Sequence, residues 1–462
     1  MDSRMSFTQS FTDFSASVAA IVFATINVNG AEIPLVVIWL FGGAIVFTVG
    51  LGFINIRGFW HGVQVLRGKF RKEDSAGEIS PFQALTTALS GTVGTGNIAG
   101  VAIAITLGGP GATFWMIIAG LFSMATKFME VSLAVKYRQI NPDGSIAGGP
   151  MYYMRDAFKA RGWPKFGAVL AVVFSVFCVF GSIAFGNVNQ GFVQFSTVTG
   201  FDNSIIYGVI YGSLVAVVII GGIKRIADVT SKLVPSMLAL YFGTSLYILA
   251  MNAGAIPGAF VLIVESALQP DAAYGGFIGV MIMGIRRATY SNEAGTGSSP
   301  IAHAAAKVDE PIQQGFVAML EPFIDTVIIC TITALVIIVT GAYQIDNVDG
   351  IAITSYAFTT SFSWFPWVLT LIILLFGFST VISVSYYGNK AWGYLFGERY
   401  EVLLTHKILY CITVAMAASV DILAIVDITD SLFFLMAVPN ILALYLLLPE
   451  VRRDLRDYRT KL

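Results

Sequence analysis

Residues 90–100 read SGTVGTGNIAG: four glycines, two threonines, a serine and an asparagine between almost wholly apolar flanks. Glycine is the poorest ordinary helix former, and irregular backbone inside a bilayer leaves amides with no water to bond. The stretch has a partner. Ser90 opens SGTVGTGN and Ser291 opens SNEAGTGS, so the pattern S-x-x-x-G-T-G-[N/S] recurs 201 residues later. Taken singly, glycines four apart such as Gly96 and Gly100 read equally well as close helix packing in a membrane. Packing accounts for the glycines, but not for Asn292 and Glu293 in an apolar run. A soluble phosphate loop is a poor alternative, because no strand precedes either copy and the Gly-Lys-Ser/Thr ending is absent.

The surrounding composition is that of a membrane protein. The 462 residues are 56% hydrophobic and only 12% charged, against about 25% charged in soluble domains, and the mean hydropathy is +0.77. Eleven apolar runs fall near 33–55, 82–107, 111–136, 166–190, 204–222, 234–251, 273–303, 313–341, 366–388, 404–420 and 431–448, each near the about 20 residues that a helical span needs. This predicts an all-α polytopic membrane protein. A net charge of -1 excludes a nucleic-acid partner held by bulk electrostatics. Cys178, Cys330 and Cys411 lie far apart in apolar runs, with no metal-ligand spacing.

Threading eleven spans with the N-terminus outside places every Lys and Arg on the inner side except Arg4, Lys127, Arg286 and Arg287, which is 23 of the 27. Inner loops are the ones that carry positive charge, so the N-terminus is expected outside and residues 449–462 form a basic cytoplasmic tail. Residues 1–32 lack a basic n-region and a clear cleavage site; they are expected to form a short extracytoplasmic amphipathic helix at the membrane surface. The transmembrane domain would then run over 33–448, with halves at about 81–251 and 272–448. The two glycine-rich stretches lie in the second and seventh spans, which are five apart and so run in opposite directions. Interrupted segments at matching positions of two inverted halves are the best sequence pointer to a secondary transporter's binding site. Breaking a helix in mid-membrane frees amides to hold an anion and carbonyls to hold a cation.

Other polar residues within the spans are functional candidates by their cost. Lys127 and Glu130 are three apart on one helix face and are expected to form an internal ion pair. Glu321 and Asp325, four apart, face either the cavity or the inner interface. Arg286 and Arg287 either pair with Glu293 or contact substrate. In the ninth span, FGFSTVISVSYYGNKAW (376–392) supplies Ser379 and Thr380. Helical hydroxyls usually bond back to the i−4 carbonyl, but two hydroxyls with carbonyls freed by the first break would also make a shell for sodium, a hard cation. His61, His303 and His406 are isolated, near span ends or loops, and suggest no metal site.

These residues resemble the alanine or glycine:cation symporters, sodium/amino-acid carriers of bacteria and archaea. The resemblance covers about residues 33–450. It is carried by GTVGTGNIAGVA (91–102), GGPGATFWM (108–116), MATKFMEVSLAVKYR (124–138), GGPMYYM (148–154), SNEAGTGSSPIAHAAA (291–306) and SYYGNKAW (385–392). It implies the leucine-transporter superfold, two inverted five-helix repeats, here preceded by one extra span. Carried over, the amides of Thr95 and Gly96 would hold a substrate carboxylate. Carbonyls of Ser90 and Val93 with the hydroxyls of Ser379 and Thr380 would form the sodium site. Tyr290 would lid the pocket, and Ser291, Glu293 and Thr296 would line the opposite wall. Thr92 and Asn97, in the first break, and Gln190, matching a family glutamine in GNVNQ (186–190), complete the expected substrate set.

Three positions depart from the family pattern. Val384 stands where tryptophan is usual, Asn389 where glutamate is usual, and Thr296 where the second break usually has methionine. Val384 lies one helical turn after Thr380, so the lost indole would enlarge the cavity. The reading that follows is a sodium-coupled symporter importing small neutral amino acids of the alanine and glycine type, with tolerance toward serine or glutamine. It would sit among the lipids of a bacterial inner membrane and need no cofactor beyond the co-transported sodium. A proton-coupled carrier is the alternative within this class. An ion channel is the alternative outside it, although channels usually use rings of residues about an axis. An enzyme would need a nucleophile and base together, and no histidine falls near either break.

Overall fold

Ser80 starts the second span with a reciprocal cap. Its hydroxyl accepts from the Gln83 amide at 3.2 Å, the Gln83 side chain accepts from the Ser80 amide at 3.0 Å, and Pro81 fills the first helical position, where its missing N–H costs nothing. The helix Pro81–Thr92 ends at Val93, whose backbone turns extended at φ −75° and ψ 97°. A 3₁₀ turn, Thr95–Asn97, follows before the helix Ala99–Gly108 resumes. The expected break is present.

The computed structural model describes residues 13–28, 31–70, 75–268, 276–345, 350–360, 364–419 and 423–461. Among them, seven helical segments are long and apolar enough to cross a membrane: Ala112–Lys136, Pro164–Thr199, Gly222–Met251, Pro311–Val339, Phe365–Phe396, Tyr400–Ala417 and Ile428–Thr460. Two shorter helices, Leu35–Gly50 and Ser204–Ile219, and the two broken segments occupy the other four expected passages. The second break separates Gly276–Asn292 from Pro300–His303. Glycine is required there, because Gly295 and Gly297 have φ of +95° and +85°, a region other L-residues seldom enter. Ala112–Lys136 is the central packing element, touching Gly276–Asn292, Pro311–Ala318 and Leu35–Gly50.

Four expectations change. The N-terminal segment is a helix, Asp13–Val22, followed by an antiparallel hairpin of Thr25–Val28 with Ala31–Pro34. The Asn29-Gly30 pair between two β-prone runs is the signal for it. The fourth span extends to Thr199 and is interrupted between Gly181 and Phe185. The eighth span holds a π-helical stretch, Phe323–Cys330; such bulges frequently mark functional sites. Finally, the basic tail continues the last helix, Ala437–Thr460, and docks through Tyr458 on His61 at 2.9 Å and Lys461 on Glu310 at 2.5 Å.

The start of the first broken segment is joined to the end of the second. Ile79 bridges Ala306 in parallel, with Glu78 N to Ala305 O and Lys307 N to Ile79 O both at 2.8 Å. The Arg138 guanidinium clamps the seam by donating to the carbonyls of Ala304 (2.9 Å), Ala306 (2.6 Å) and Ala76 (2.7 Å).

Candidate binding site between the two breaks

Both breaks converge on one buried carboxylate. Asn97 accepts from Gly94 N at 2.9 Å, stabilising the first turn, and its amide nitrogen donates to Asp325 Oδ1 at 2.7 Å and Ser291 Oγ at 3.0 Å. Ser291, near the end of the helix Gly276–Asn292, donates to Asp325 Oδ2 at 2.5 Å, and Thr326 donates to the same oxygen at 2.8 Å. Asp325 therefore faces the breaks and not the inner interface. It sits in the π-helical stretch, which the sequence did not reveal. Asn97 and Ser291 spend their polar groups fixing the two breaks to each other.

Two of the expected cation ligands, Ser90 and Ser379, are in contact. Ser90 donates to the Ser379 carbonyl and shares a hydrogen bond with Ser383 Oγ, both at 2.6 Å, and Ser379 Oγ lies 3.5 Å from the Ser90 carbonyl. Ser379 and Thr380 both donate to the Phe376 carbonyl, at 2.9 and 3.0 Å. That is the ordinary helical back-bond, and it leaves each hydroxyl's lone pairs directed elsewhere. Thr380 reaches the first break: a Cβ on Gly94 would lie 3.2 Å from its Oγ1.

A cavity of about 210 Å³ opens beside these groups. Its lining includes Gln190, Tyr290, Glu293, Thr380 and Val384, all singled out in the sequence, together with Asn187, Asp430 and Phe434, which were not. The interruption of the fourth span supplies Ser182, Ile183 and Ala184 to the same wall. Tyr290 lines it as part of an aromatic cluster. Phe434 lies 4.1 Å from its ring centroid and Phe23, from the N-terminal segment, stacks at 6.2 Å. Arg286 and Arg287 lie over Tyr290 at 6.0 and 5.9 Å.

The remaining expected residues are close by but do not line the cavity. Thr92 is buried, with a long 3.4 Å bond back to Ala88 O. Gly96 is exposed at the turn, with no atom apart from its two chain neighbours within 4 Å of the place a Cβ would take, and Thr95 opens that turn. Thr296 donates to the Glu293 carbonyl at 2.8 Å and so closes the second break. Glu293, at φ +53°, accepts from Ser298 at 2.8 Å. Its partner is Ser298, five residues further along the chain, whereas Arg286 and Arg287 attend Tyr290.

The Lys127–Glu130 pair is corrected. The Lys127 ammonium bonds Glu321 at 3.1 Å and Ser299 at 2.6 Å, all three buried. Glu130 accepts instead from Asn440 at 2.6 Å, and that amide also donates to the Gly295 carbonyl at 2.9 Å. Among the described residues, no cluster of three His, Cys, Asp or Glu has metal-site geometry.

Two broken helices hydrogen-bonded to each other beside a partly polar cavity are the arrangement of a secondary transporter's binding site. The profile of the sodium:alanine symporter family matches residues 16–462, and the chain belongs to that family. It is 39% identical to the sodium/alanine symporter AgcS of Methanococcus maripaludis over 420 residues, 90% of this chain and 92% of that one. It is 36% identical to the probable sodium/glutamine symporter GlnT of Bacillus subtilis, over 92% of this chain and 87% of that one. Among solved structures, the fold is that of MhsT in complex with L-phenylalanine, with a TM-score of 0.56 at 15% identity over 80% of this chain and 89% of that one. The chain is thus a multi-pass plasma-membrane transporter of the leucine-transporter fold, and not an enzyme.

Proposed function

We propose that this protein drives small neutral amino acids into a bacterial cell with the sodium gradient, by alternating access, with its N-terminus outside and its C-terminus in the cytoplasm. The observation that carries the reading is the meeting of both breaks, the paired hydroxyls of the ninth span and the cavity in one place. The amides of Thr95 and Gly96 bind the substrate carboxylate, since a helix N-terminus favours an anion. Carbonyls of Ser90 and Val93 with Ser379 and Thr380 bind sodium through the lone pairs that the back-bonds leave available. Gln190 and Asn187 face the substrate's side chain, and Tyr290 closes over it.

Uptake of a labelled amino-acid panel into proteoliposomes, with and without a sodium gradient, tests this reading. Counterflow distinguishes a carrier from a channel, which shows no exchange. Thr380→Ala removes one ligand, so the sodium concentration for half-maximal uptake should rise about tenfold, equivalent to about 1.4 kcal/mol. Amino-acid affinity at saturating sodium should change much less. Unchanged sodium dependence would move the ion to Asp325.

Val384 sets the substrate range in this reading. It is 5% exposed and lines the cavity, and a valine leaves space in which a methyl side chain makes few contacts. Each added methylene that fills it is worth about 0.8 kcal/mol, or roughly fourfold in affinity. Wild type should therefore accept side chains beyond glycine and alanine, and Val384→Trp should narrow the range toward those two. The check is competition against labelled alanine by a size series in both variants. Wild-type rejection of everything above alanine would refute the enlarged pocket.

A further inference from the structure

Beside the second break lies a group of ionisable residues, of which Lys127, Glu130 and Glu321 do not line the cavity and take no part in the proposed substrate and sodium sites. Lys127, Glu130 and Glu321 are completely buried, and Glu293 adds a third carboxylate at the cavity edge. One ammonium faces three carboxylates. His303, with Nε2 3.7 Å from Glu321 and Nδ1 bonded to Gln314 at 2.7 Å, can supply one more positive charge at most. At least one negative charge is left over at membrane depth, where an uncompensated charge is expensive.

The hydrogen bonds identify which carboxylate gives it up. Glu321 holds Lys127 on one oxygen and Ser299 on the other, the latter at 3.1 Å. Glu293 has Ser298 and borders the cavity. Glu130 alone has a buried oxygen, Oε2, with no hydrogen-bond partner. A bare oxygen on a buried carboxylate anion costs far more than on a neutral acid. The proton's place is fixed too. The Gly295 carbonyl can only accept, so the Asn440 atom bonded to it is the amide nitrogen, and the same nitrogen donates to Glu130 Oε1. Tyr153 completes the assignment by donating to Asn440 Oδ1. Oε1 is then the acceptor oxygen and Oε2 carries the hydrogen.

We propose that Glu130 is a proton-binding site, protonated while the start of the first broken segment is joined to the end of the second, and that through Asn440 it ties the geometry of the second break to pH. The step is simple association: the carboxylate takes one proton from water and becomes a neutral acid. The groups around it are Lys127 on its own helix, Gly295 and Glu293 of the second break, Glu321 of the eighth span, Tyr153 of the helix Pro150–Ala160, and Asn440 of the last helix. Losing the proton places a third anion beside Glu293 and Glu321, which opposes this arrangement. The inference holds whichever solute the cavity takes.

Infrared difference spectroscopy on the reconstituted full chain reads the proton directly. Wild type minus Glu130→Gln should show a protonated-carboxyl C=O band, and Glu130→Asp should retain a band at a shifted frequency. In the same vesicles, wild-type sodium-driven uptake should fall as pH rises past the midpoint, by about tenfold per pH unit. Glu130→Gln should flatten that profile to within about twofold, while Glu130→Asp restores a slope. If Glu130→Gln does not fold, the wild-type and Glu130→Asp pair decides, because a carboxyl band that does not move between them overturns the proposal. So does a Glu130→Gln profile as steep as wild type. Absence of sodium-driven uptake with the band intact would count against the transport reading and leave the proton site standing.

Discussion

Gly96→Val is expected to reduce uptake to background while leaving expression and thermal stability close to wild type. The two halves of that expectation have separate grounds. Gly96 sits in the 3₁₀ turn Thr95–Asn97, its φ is not positive, and apart from its two chain neighbours no atom lies within 4 Å of the place a Cβ would take. A valine there meets neither backbone strain nor a clash, so folding has little reason to suffer. What the branched side chain would occupy is the open space beside the turn, where glycine allows close approach by another group. Loss of transport with an intact fold then reports on the ligand alone. The same substitution at Gly94 would be ambiguous, since its Cβ would press on Thr380 at 3.2 Å. Uptake by Gly96→Val with near-normal affinity would mean that the break serves packing and that the carboxylate binds elsewhere.

The breaks were legible because they contradict their surroundings: glycine and hydroxyl residues in an apolar run, twice, at one spacing. The charge asymmetry was legible for the same reason, as a feature summed over many residues. What the sequence hid is mostly pairing across the chain. Lys127 and Glu130 share a helix face at the spacing that suggests a pair, yet the lysine's carboxylate is Glu321, 194 residues away. Spacing reports only neighbours on one helix, whereas the partner is chosen by how helices pack. Asn440 and Tyr153 went unnoticed because a single neutral polar residue in an apolar run carries no pattern. Asp325 was visible as a costly residue, but its meeting with Asn97 and Ser291 depends on the π-helical stretch, which no composition signals.

Elsewhere the signal existed and was outweighed. Asn29-Gly30 between TINV and AEIP is a strong hairpin marker, and the apolar stretch before it favoured a purely helical reading. The interruption of the fourth span rests on Gly181 and Ser182 alone, too little to break an apolar run by propensity. Its effect is nevertheless local to function, because it turns Asn187 and Gln190 toward the cavity wall. The Phe23 ring on Tyr290 likewise shows that the N-terminal segment packs beside the cavity and not simply on the membrane surface.

Lys127→Met should destabilise the fold by roughly 3–5 kcal/mol, the cost of stranding a buried carboxylate when its partner is removed. Glu321 would keep only Ser299 and the more distant His303, neither of which replaces an ammonium at 3.1 Å. Methionine fills about the same volume with no polar atom, so the loss comes from charge and not from a cavity. The second variant separates these causes. Glu321→Gln in the Lys127→Met background removes the stranded charge, and the double variant should recover most of the lost stability. A coupling energy of about 0.5–3 kcal/mol is what contacting residues usually show, and this pair should lie at or above the top of that range. Thermal unfolding of the purified protein in detergent, run on wild type, both single variants and the double, measures it. Because Lys127 also holds Ser299 at the start of Pro300–His303, the single variant should lose uptake along with stability. Additive losses in the double variant would mean that the two side chains do not compensate each other. The ion pair would then not be what keeps the Pro300–His303 half of the second break in place.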